Sequence, residues 1–307
     1  MGFDCSVSYL YLSVTMISFS YSQFRRAVCA VTLMLLGTSG AFGQDNMAPD
    51  IHWAYASFFG TGWYKVSDTR EAFVIRAAPR WTVGEAGFDE EGNRSFDYTF
   101  RVPVTLGLAR FGFDDIPGIV DPDNVSTLSV GFSGDIDIPV TEKFSLRPIA
   151  EIGYGTELGE GRSAWTWRTE VRSRYMFEAG KLDWALLAGV GITGFEPNDG
   201  DSDNFSYVSL ATEVSQPIRW MSTQDRQTML YWHLGYMDFI DEIEFASGPA
   251  RVDSVGNYWQ FGLAMGRRND PIKIWFLKFD RLGLAYKYSD TGMLRGITFV
   301  FRSIYDL

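Results

Sequence analysis

The sequence has only two cysteines and two histidines, and this scarcity excludes several classes of protein. Cys5 and Cys29 both lie near the N-terminus, so the rest of the chain cannot be a disulfide scaffold. His52 and His233, without cysteine beside them, do not indicate a zinc site, and we expect neither a metal ion nor another cofactor. The formal net charge of -11 argues against nucleic acid as a partner.

Long apolar runs are also scarce, since none outside the N-terminal region approaches the roughly 18 residues of a spanning helix. Near the N-terminus, Arg25 and Arg26 precede an apolar stretch over 27–36. The small residues Ala41 and Gly43 then mark a cleavage site. This order is that of a secretory signal peptide that is cut after Gly43.

The signal peptide divides the chain into a presequence, 1–43, and a mature domain, 44–307. Because 1–24 is too long for the usual charged region, we expect translation to begin at Met16. The alternative is a signal anchor that stays attached, which the short apolar core disfavours. Only residues 44–50 would separate the cleavage site from the first predicted strand, which leaves no room for a passenger domain.

The mature sequence is dominated by an alternation of apolar and polar residues. The segment FDYTFRVPVTLGLARF, 96–111, places large apolar residues at every second position and small or polar residues between them. Period two is the side-chain period of a β-strand, and this strand would be more than twice the usual length of about 5–6 residues. In a membrane barrel the apolar face meets lipid and the polar face meets a lumen.

The same pattern recurs to the end of the chain and predicts an all-β protein. We expect a closed antiparallel up-and-down transmembrane β-barrel of about twelve strands. The predicted strands are 51–66, 69–84, 95–112, 125–140, 143–157, 162–179, 181–195, 203–217, 226–240, 254–267, 271–289 and 293–306. A change of phase near Asp280 predicts a β-bulge inside the eleventh strand.

The connections between these strands alternate in length, as in outer-membrane barrels, where periplasmic turns are short. With both termini in the periplasm, turns at 141–142, 180 and 268–270 would lie on that side. Long connections at 113–124, 196–202 and 241–253 would lie on the outer side, and the loop 85–94 is an exception.

Strand dimensions agree with a membrane span. Trp167 and Phe177 lie on one predicted strand face, about 33 Å apart along the strand. At a tilt of about 40° this separation matches an apolar band about 25 Å tall. Aromatic residues make up 16% of the sequence, enough for a girdle at each membrane interface.

The C-terminal sequence GITFVFRSIYDL places Phe299, Phe301, Tyr305 and Leu307 on one parity. It resembles the terminal insertion signal that the barrel assembly machinery of Gram-negative bacteria recognises. The longer stretch FDRLGLAYKYSDTGMLRGITFVF resembles the last hairpin of solitary autotransporter-like β-barrel proteins. This resemblance implies a twelve-stranded barrel without a passenger, located in the cell outer membrane. The expected partners are outer-membrane lipid, lipopolysaccharide and the assembly machinery, and we expect a monomer.

Charged residues are concentrated on the polar face of two neighbouring strands. The predicted lumen-lining set is Arg147, Glu151, Arg168, Glu170, Arg172 and Arg174. These residues predict either a ladder of cross-strand ion pairs that fills the barrel or an anion-preferring constriction.

Two functions remain open at this point. The first is a non-enzymatic barrel that acts as a narrow or plugged pore or as a surface-interaction protein, with no catalytic residues. The alternative is an outer-membrane barrel enzyme, a lipid hydrolase, acyl-modifying enzyme or protease that uses His233. Such an enzyme needs a serine and an aspartate or asparagine within hydrogen-bond reach of the histidine.

Overall fold

The protein is described by a computed structural model. The described residues are 60–66, 70–109, 125–157, 162–198, 202–222, 227–248, 251–267, 272–274 and 277–306. The predicted presequence and the start of the first predicted strand lie outside them. Within the described residues, no helix is both long enough and apolar enough to cross a membrane.

The described chain forms twelve barrel strands, two of which are interrupted. Their bounds are β1 Gly62–Val66, β2 Arg70–Ala77 with Arg80–Val83, β3 Asp97–Arg101 with Val104–Ala109, β4 Val125–Pro139, β5 Phe144–Glu157, β6 Ser163–Ala179, β7 Leu182–Pro197, β8 Asp203–Pro217, β9 Thr228–Gly248, β10 Arg251–Arg267, β11 Arg281–Tyr288 and β12 Leu294–Val300.

Each strand pairs antiparallel with its neighbours in sequence, which gives an up-and-down meander. The meander closes where β1 pairs with β12, in a register that places Gly62 opposite Thr298. Closure leaves the sheet without a free edge, so every strand has a partner on both sides. The predicted fold class, a closed antiparallel barrel of twelve strands, is confirmed.

Prolines account for the interruptions in β2 and β3. Pro79 and Pro103 have no backbone N–H, so neither can donate to a strand ladder. The two strands stay paired across the breaks, because the Val102 N–H donates to the Pro79 carbonyl at 3.1 Å. The Pro103 carbonyl accepts from the Gly131 N–H of β4 at 2.8 Å. The barrel wall therefore continues through both breaks.

One predicted connection and one predicted bulge differ from the structure. The predicted long loop 241–253 is largely strand, because β9 continues to Gly248 and β10 begins at Arg251. The predicted bulge near Asp280 is a strand break. A separate hairpin of Ile272–Ile274 and Leu277–Phe279 precedes β11 and explains the change of phase. The predicted exception, 85–94, contains another small hairpin, Gly87–Phe88 with Arg94–Ser95.

The last predicted strand, 293–306, is too long. β12 ends at Val300, and Ile304–Asp306 form a single turn of 3₁₀ helix. The Phe301 carbonyl still accepts from the Arg281 N–H at 3.3 Å. Residues 302–306, called the C-terminal turn below, follow it and place Tyr305 inside the barrel. We call the end of the barrel where β1 begins and β12 ends the terminal end.

The apolar strand faces point outward, as the alternation predicts. Many large hydrophobic side chains are more than a third exposed along the wall, among them Phe132, Ile152, Trp165, Leu210, Phe261 and Leu284. Aromatic pairs lie toward both ends of this surface, Tyr154 with Trp165 and Phe177 with Trp184. An exposed apolar belt with aromatic residues at its ends is typical of a barrel that faces lipid.

Candidate functional site

The six charged residues predicted for the lumen belong to β5 and β6, which are adjacent strands. Glu151 lies opposite Arg168 in the ladder, and Arg147 lies opposite Arg172. Arg147, Arg168 and Glu170 are buried. Since the outward neighbours on these strands are exposed, this burial places the charges inside the barrel.

Ion pairs connect these residues to one another and to other strands. Glu151 accepts from Arg168 at 2.9 Å and from Arg76 of β2 at 3.4 Å. Glu170 accepts two hydrogen bonds from Arg172, at 2.7 and 3.0 Å. Arginine suits such sites because its planar guanidinium makes parallel hydrogen bonds to a carboxylate.

A second group of charges lies toward the terminal end. Asp137 of β4 accepts from Arg147 at 2.8 Å and from Arg174 at 3.3 Å. Asp135, also on β4, pairs with Arg101 of β3. Several inward arginines and carboxylates therefore bridge adjacent and non-adjacent strands.

The C-terminal turn crosses the lumen to reach these charges. The centroid of the Tyr305 ring lies 4.1 Å from the guanidinium carbon of Arg147 and 4.4 Å from that of Arg174. The Tyr305 carbonyl accepts from Arg172 at 3.1 Å. In a ring of twelve strands, β6 lies opposite β12, so the turn reaches the far wall within five residues of Val300.

A carboxylate on β8 binds the beginning of the C-terminal turn. Glu213 of β8 accepts from the Ser303 hydroxyl at 3.1 Å and from the Ile304 N–H at 3.3 Å. Arg281 of β11 pairs with the same carboxylate at 2.8 Å. Contacts to β5, β6 and β8 therefore attach the turn to three parts of the wall.

Asp306 ends the described part of the turn and lies beyond the spanning strands. Its carboxylate pairs with Arg147 at 2.5 Å and with Arg80 at 3.6 Å. Burial by itself raises the pKa of this carboxyl, but the attraction of Arg147 and Arg80 outweighs it and holds the pKa at about 2. The carboxylate is therefore charged at any physiological pH.

The opposite half of the barrel interior contains a buried apolar cluster. A buried cluster there is built mainly from aromatic residues: Tyr64, Val74, Ala164, Phe195, Phe205, Tyr207, Phe239, Val255, Tyr258 and Leu294. Phe205 meets Phe239 edge-on, with ring centroids 5.3 Å apart. Packed rings of this kind exclude water as a protein core does.

A cavity of about 160 Å³ lies between the aromatic cluster and the C-terminal turn. Tyr258 belongs to its lining on one side, and Ile304 and Tyr305 on the other. The cavity therefore lies beside the C-terminal turn and is not fully enclosed.

His233 lies inside the barrel on β9, and its neighbours indicate a structural rather than a catalytic role. Its Nε2 is 2.9 Å from Nε2 of Gln260, so the amide N–H donates to the unprotonated ring nitrogen. Gly262 leaves the space that the ring occupies, because a Cβ at that position would collide with it. Among the described residues, no serine, threonine or cysteine is hydrogen-bonded to His233, and no cluster of metal-ligating residues is present.

The three described residues of the predicted insertion signal do not share one face. Phe299 belongs to β12, and its ring stacks with that of Phe301, centroids 6.1 Å apart. Tyr305 is 2% exposed and lies in the lumen, which corrects its predicted place on the strand. Leu307 lies outside the described residues. That these residues direct insertion stays a prediction.

Several charges of the site were absent from the predicted set. Asp135, Asp137 and Glu213 occupy inward positions that the alternation identifies as polar. The polar parity of these three positions was therefore the sequence signal that could have identified them. Asp306 had no such signal, because its place depends on the turn that follows β12.

Comparison with solved structures shows which known fold this barrel shares. The β-domain of the Bordetella autotransporter BrkA superposes with a TM-score of 0.50 at 11% sequence identity, over 78% of this chain and 91% of that chain. The chain folds as an outer-membrane β-barrel of the autotransporter type. The transport unit of the autotransporter AIDA-I from Escherichia coli matches at a TM-score of 0.43 and 10% identity, over 89% of this chain and 97% of that chain.

Matches at the level of sequence are absent. No protein-family model matches the chain, and no curated protein matches it either. The fold and the outward apolar belt together establish a barrel of the outer membrane.

Proposed function

We propose that this barrel is a non-enzymatic outer-membrane protein whose lumen is plugged in its resting state by its own C-terminal turn. The observation that carries the proposal is the packing of Tyr305 against Arg147 and Arg174, on the wall opposite the strand from which it comes. The aromatic cluster supports it, because packed rings obstruct the other half of the lumen.

The environment of His233 supports the non-enzymatic part of the proposal. General-base catalysis needs the histidine next to the nucleophile that it activates. The contact of His233 with Gln260 gives it an amide neighbour instead. This hydrogen bond satisfies a polar atom of a buried histidine, as a packing role requires.

Conductance of the refolded protein in a planar lipid bilayer tests the plug. The wild type should show no steady conductance. Removal of residues 303–307 opens only the terminal end, so it should add brief openings at most. The same truncation combined with Phe205→Ala and Phe239→Ala should conduct, because both obstructions are then weakened.

The matched control is the truncation combined with Phe261→Ala and Leu284→Ala, which change only exposed wall positions. This control should stay closed. A large, steady and anion-selective wild-type current would contradict the plug and favour an arginine-lined constriction.

A further inference from the structure

Two cations lie side by side on the outward face of the barrel, at the end opposite the terminal end. Lys65 of β1 and Arg295 of β12 are directly opposite each other in the ladder that closes the barrel. Both residues face away from the lumen, because their chain neighbours Tyr64 and Leu294 are buried in the aromatic cluster. Like charges in directly opposite positions repel each other and destabilise a sheet.

One carboxylate accompanies these two cations. A carboxylate oxygen of Glu71 on β2 is 3.8 Å from Nζ of Lys65, and both side chains are about half exposed, 50% and 41%. Such exposed ion pairs are weak, because water and salt screen them. Within the part of the chain that the structure describes, Arg295 has no carboxylate partner, and its guanidinium carbon lies 5.9 Å from the centroid of the Tyr288 ring. Both cations can therefore bind a further anion from outside the barrel.

The two cations lie where the outward face changes from apolar to polar. Toward the terminal end, the next outward position on β12 is the exposed Ile297, whereas the turn that precedes β12 carries the exposed Asp290. At the level of Arg295, the ladder continues through Tyr288 of β11 to Trp259 of β10, both exposed. Aromatic side chains and cations at one level are typical of the boundary between acyl chains and lipid headgroups.

We propose that Lys65 and Arg295 together bind a phosphate group of lipopolysaccharide. The connection lengths predict both termini in the periplasm, and this orientation places the two cations in the outer leaflet. Lipopolysaccharide, the expected lipid of that leaflet, carries phosphate groups directly above its acyl chains. A guanidinium presents a planar fork of N–H groups to phosphate oxygens, and an ammonium adds a compact charge.

The surface below the two cations fits the rest of the same lipid molecule. Ile297 and Tyr286 are exposed on the outward faces of β12 and β11, in the apolar belt that faces lipid. The acyl chains lie along this belt while the phosphate lies between the two cations and reduces their repulsion. Electrostatic attraction and contact with the belt therefore act on one ligand.

Heat stability of the full-length protein, refolded in a zwitterionic detergent, tests this proposal. The temperature at which the folded band disappears on electrophoresis is measured during titration with bisphosphorylated lipid A, the membrane part of lipopolysaccharide. A ligand that binds only the folded barrel raises this temperature. We expect lipid A to act at a concentration about tenfold or more below that of its dephosphorylated form. Equal concentrations for the two lipids would overturn the role of the phosphate.

Two other ligands distinguish the source of the phosphate. Phosphatidylglycerol carries a phosphodiester with a single charge, and inorganic phosphate has no acyl chains to lie along the belt. We expect both to need a higher concentration than lipid A for the same rise in temperature. If either one acts at as low a concentration as lipid A, the assignment to lipopolysaccharide is wrong.

A double substitution locates the site. Lys65→Gln with Arg295→Gln should raise the lipid A concentration needed for half of the maximal effect about tenfold or more. The matched control is Lys143→Gln with Lys181→Gln, which removes two exposed cations at the terminal end and should respond as the wild type does. Each response is measured against the heat stability of the same variant without lipid, so a change in stability alone does not count. Equal responses of the two double variants would overturn the assignment to Lys65 and Arg295.

Discussion

The guanidinium carbon of Arg147 lies 4.1 Å from the centroid of the Tyr305 ring, although the two residues are 158 positions apart in the chain. The guanidinium carbon of Arg174 lies 4.4 Å from the same centroid. This stack joins the C-terminal turn to the wall of the barrel, and it makes the last residues of the chain part of the lumen.

Removing the Tyr305 ring should destabilise the folded barrel. Tyr305→Ala leaves a void beside two cations, and we expect the free energy of unfolding to fall by about 2–4 kcal/mol. Urea unfolding in lipid vesicles, followed by tryptophan fluorescence, measures this change. Tyr305→Phe keeps the ring and should lose less than about 1 kcal/mol. An equal loss in both variants would show that the ring contacts are unimportant.

Assembly in cells tests the insertion signal separately. Deletion of residues 305–307 should lower the fraction of folded, heat-modifiable barrel in the outer membrane. Phe299→Ala combined with Phe301→Ala should do the same, since these rings remain together at the terminal end. Tyr288→Ala, an exposed aromatic change in the same hairpin, is the control. Normal assembly of both test variants would show that the signal lies elsewhere.

Neutralising the lumen arginines should reveal their structural role. Arg168→Gln, Arg172→Gln and Arg174→Gln together remove ion-pair partners from Glu151, Glu170 and Asp137. We expect the free energy of unfolding to fall by at least about 3 kcal/mol, because buried carboxylates then lose compensating charge.

The control for that variant carries three neutralised cations at exposed positions, Arg162→Gln, Lys181→Gln and Arg295→Gln. Exposed ion pairs contribute about 0–1 kcal/mol each, so the control should remain close to the wild type. Urea midpoints of the two triple variants measure the difference. Similar stability of the two would contradict the assignment of the lumen arginines to a buried network.

Acid should weaken the attachment of the C-terminal turn. Because Arg147 and Arg80 hold the pKa of Asp306 at about 2, below its ordinary value of 3.8, the charged carboxylate stabilises the folded state. That contribution is complete above the ordinary value and is lost as pH falls toward 2. The stability difference between the wild type and Asp306→Asn should be constant from pH 7 to about pH 5 and shrink below about pH 4.

Urea midpoints of the two proteins across this pH range give the difference. Arg80→Gln should reduce it at neutral pH, since Arg80 is one of the charges that lower the pKa. A difference that grows on acidification would be opposite in sign to the prediction.

The sequence by itself determined the barrel and the face that meets lipid. Alternation with period two is a local property of an extended chain, so Phe132, Ile152 and Phe261 identify their outward faces without any knowledge of strand order. The polar parity identified Arg168 and Arg172 as inward for the same reason. The strand count followed because turns separate the alternating segments.

Only the tertiary structure decided what those inward residues contact. Parity places Arg147 inside the barrel, but its pairing with Asp137 and Asp306 depends on how distant strands approach one another. Tyr305 is the clearest example of a position that residue parity did not predict. Parity assigned it to the same strand face as Phe299 and Phe301, whereas β12 ends at Val300 and Tyr305 lies buried in the lumen. Beyond the last strand no pairing imposes period two, so long-range contacts with β5, β6 and β8 set the position of the C-terminal turn.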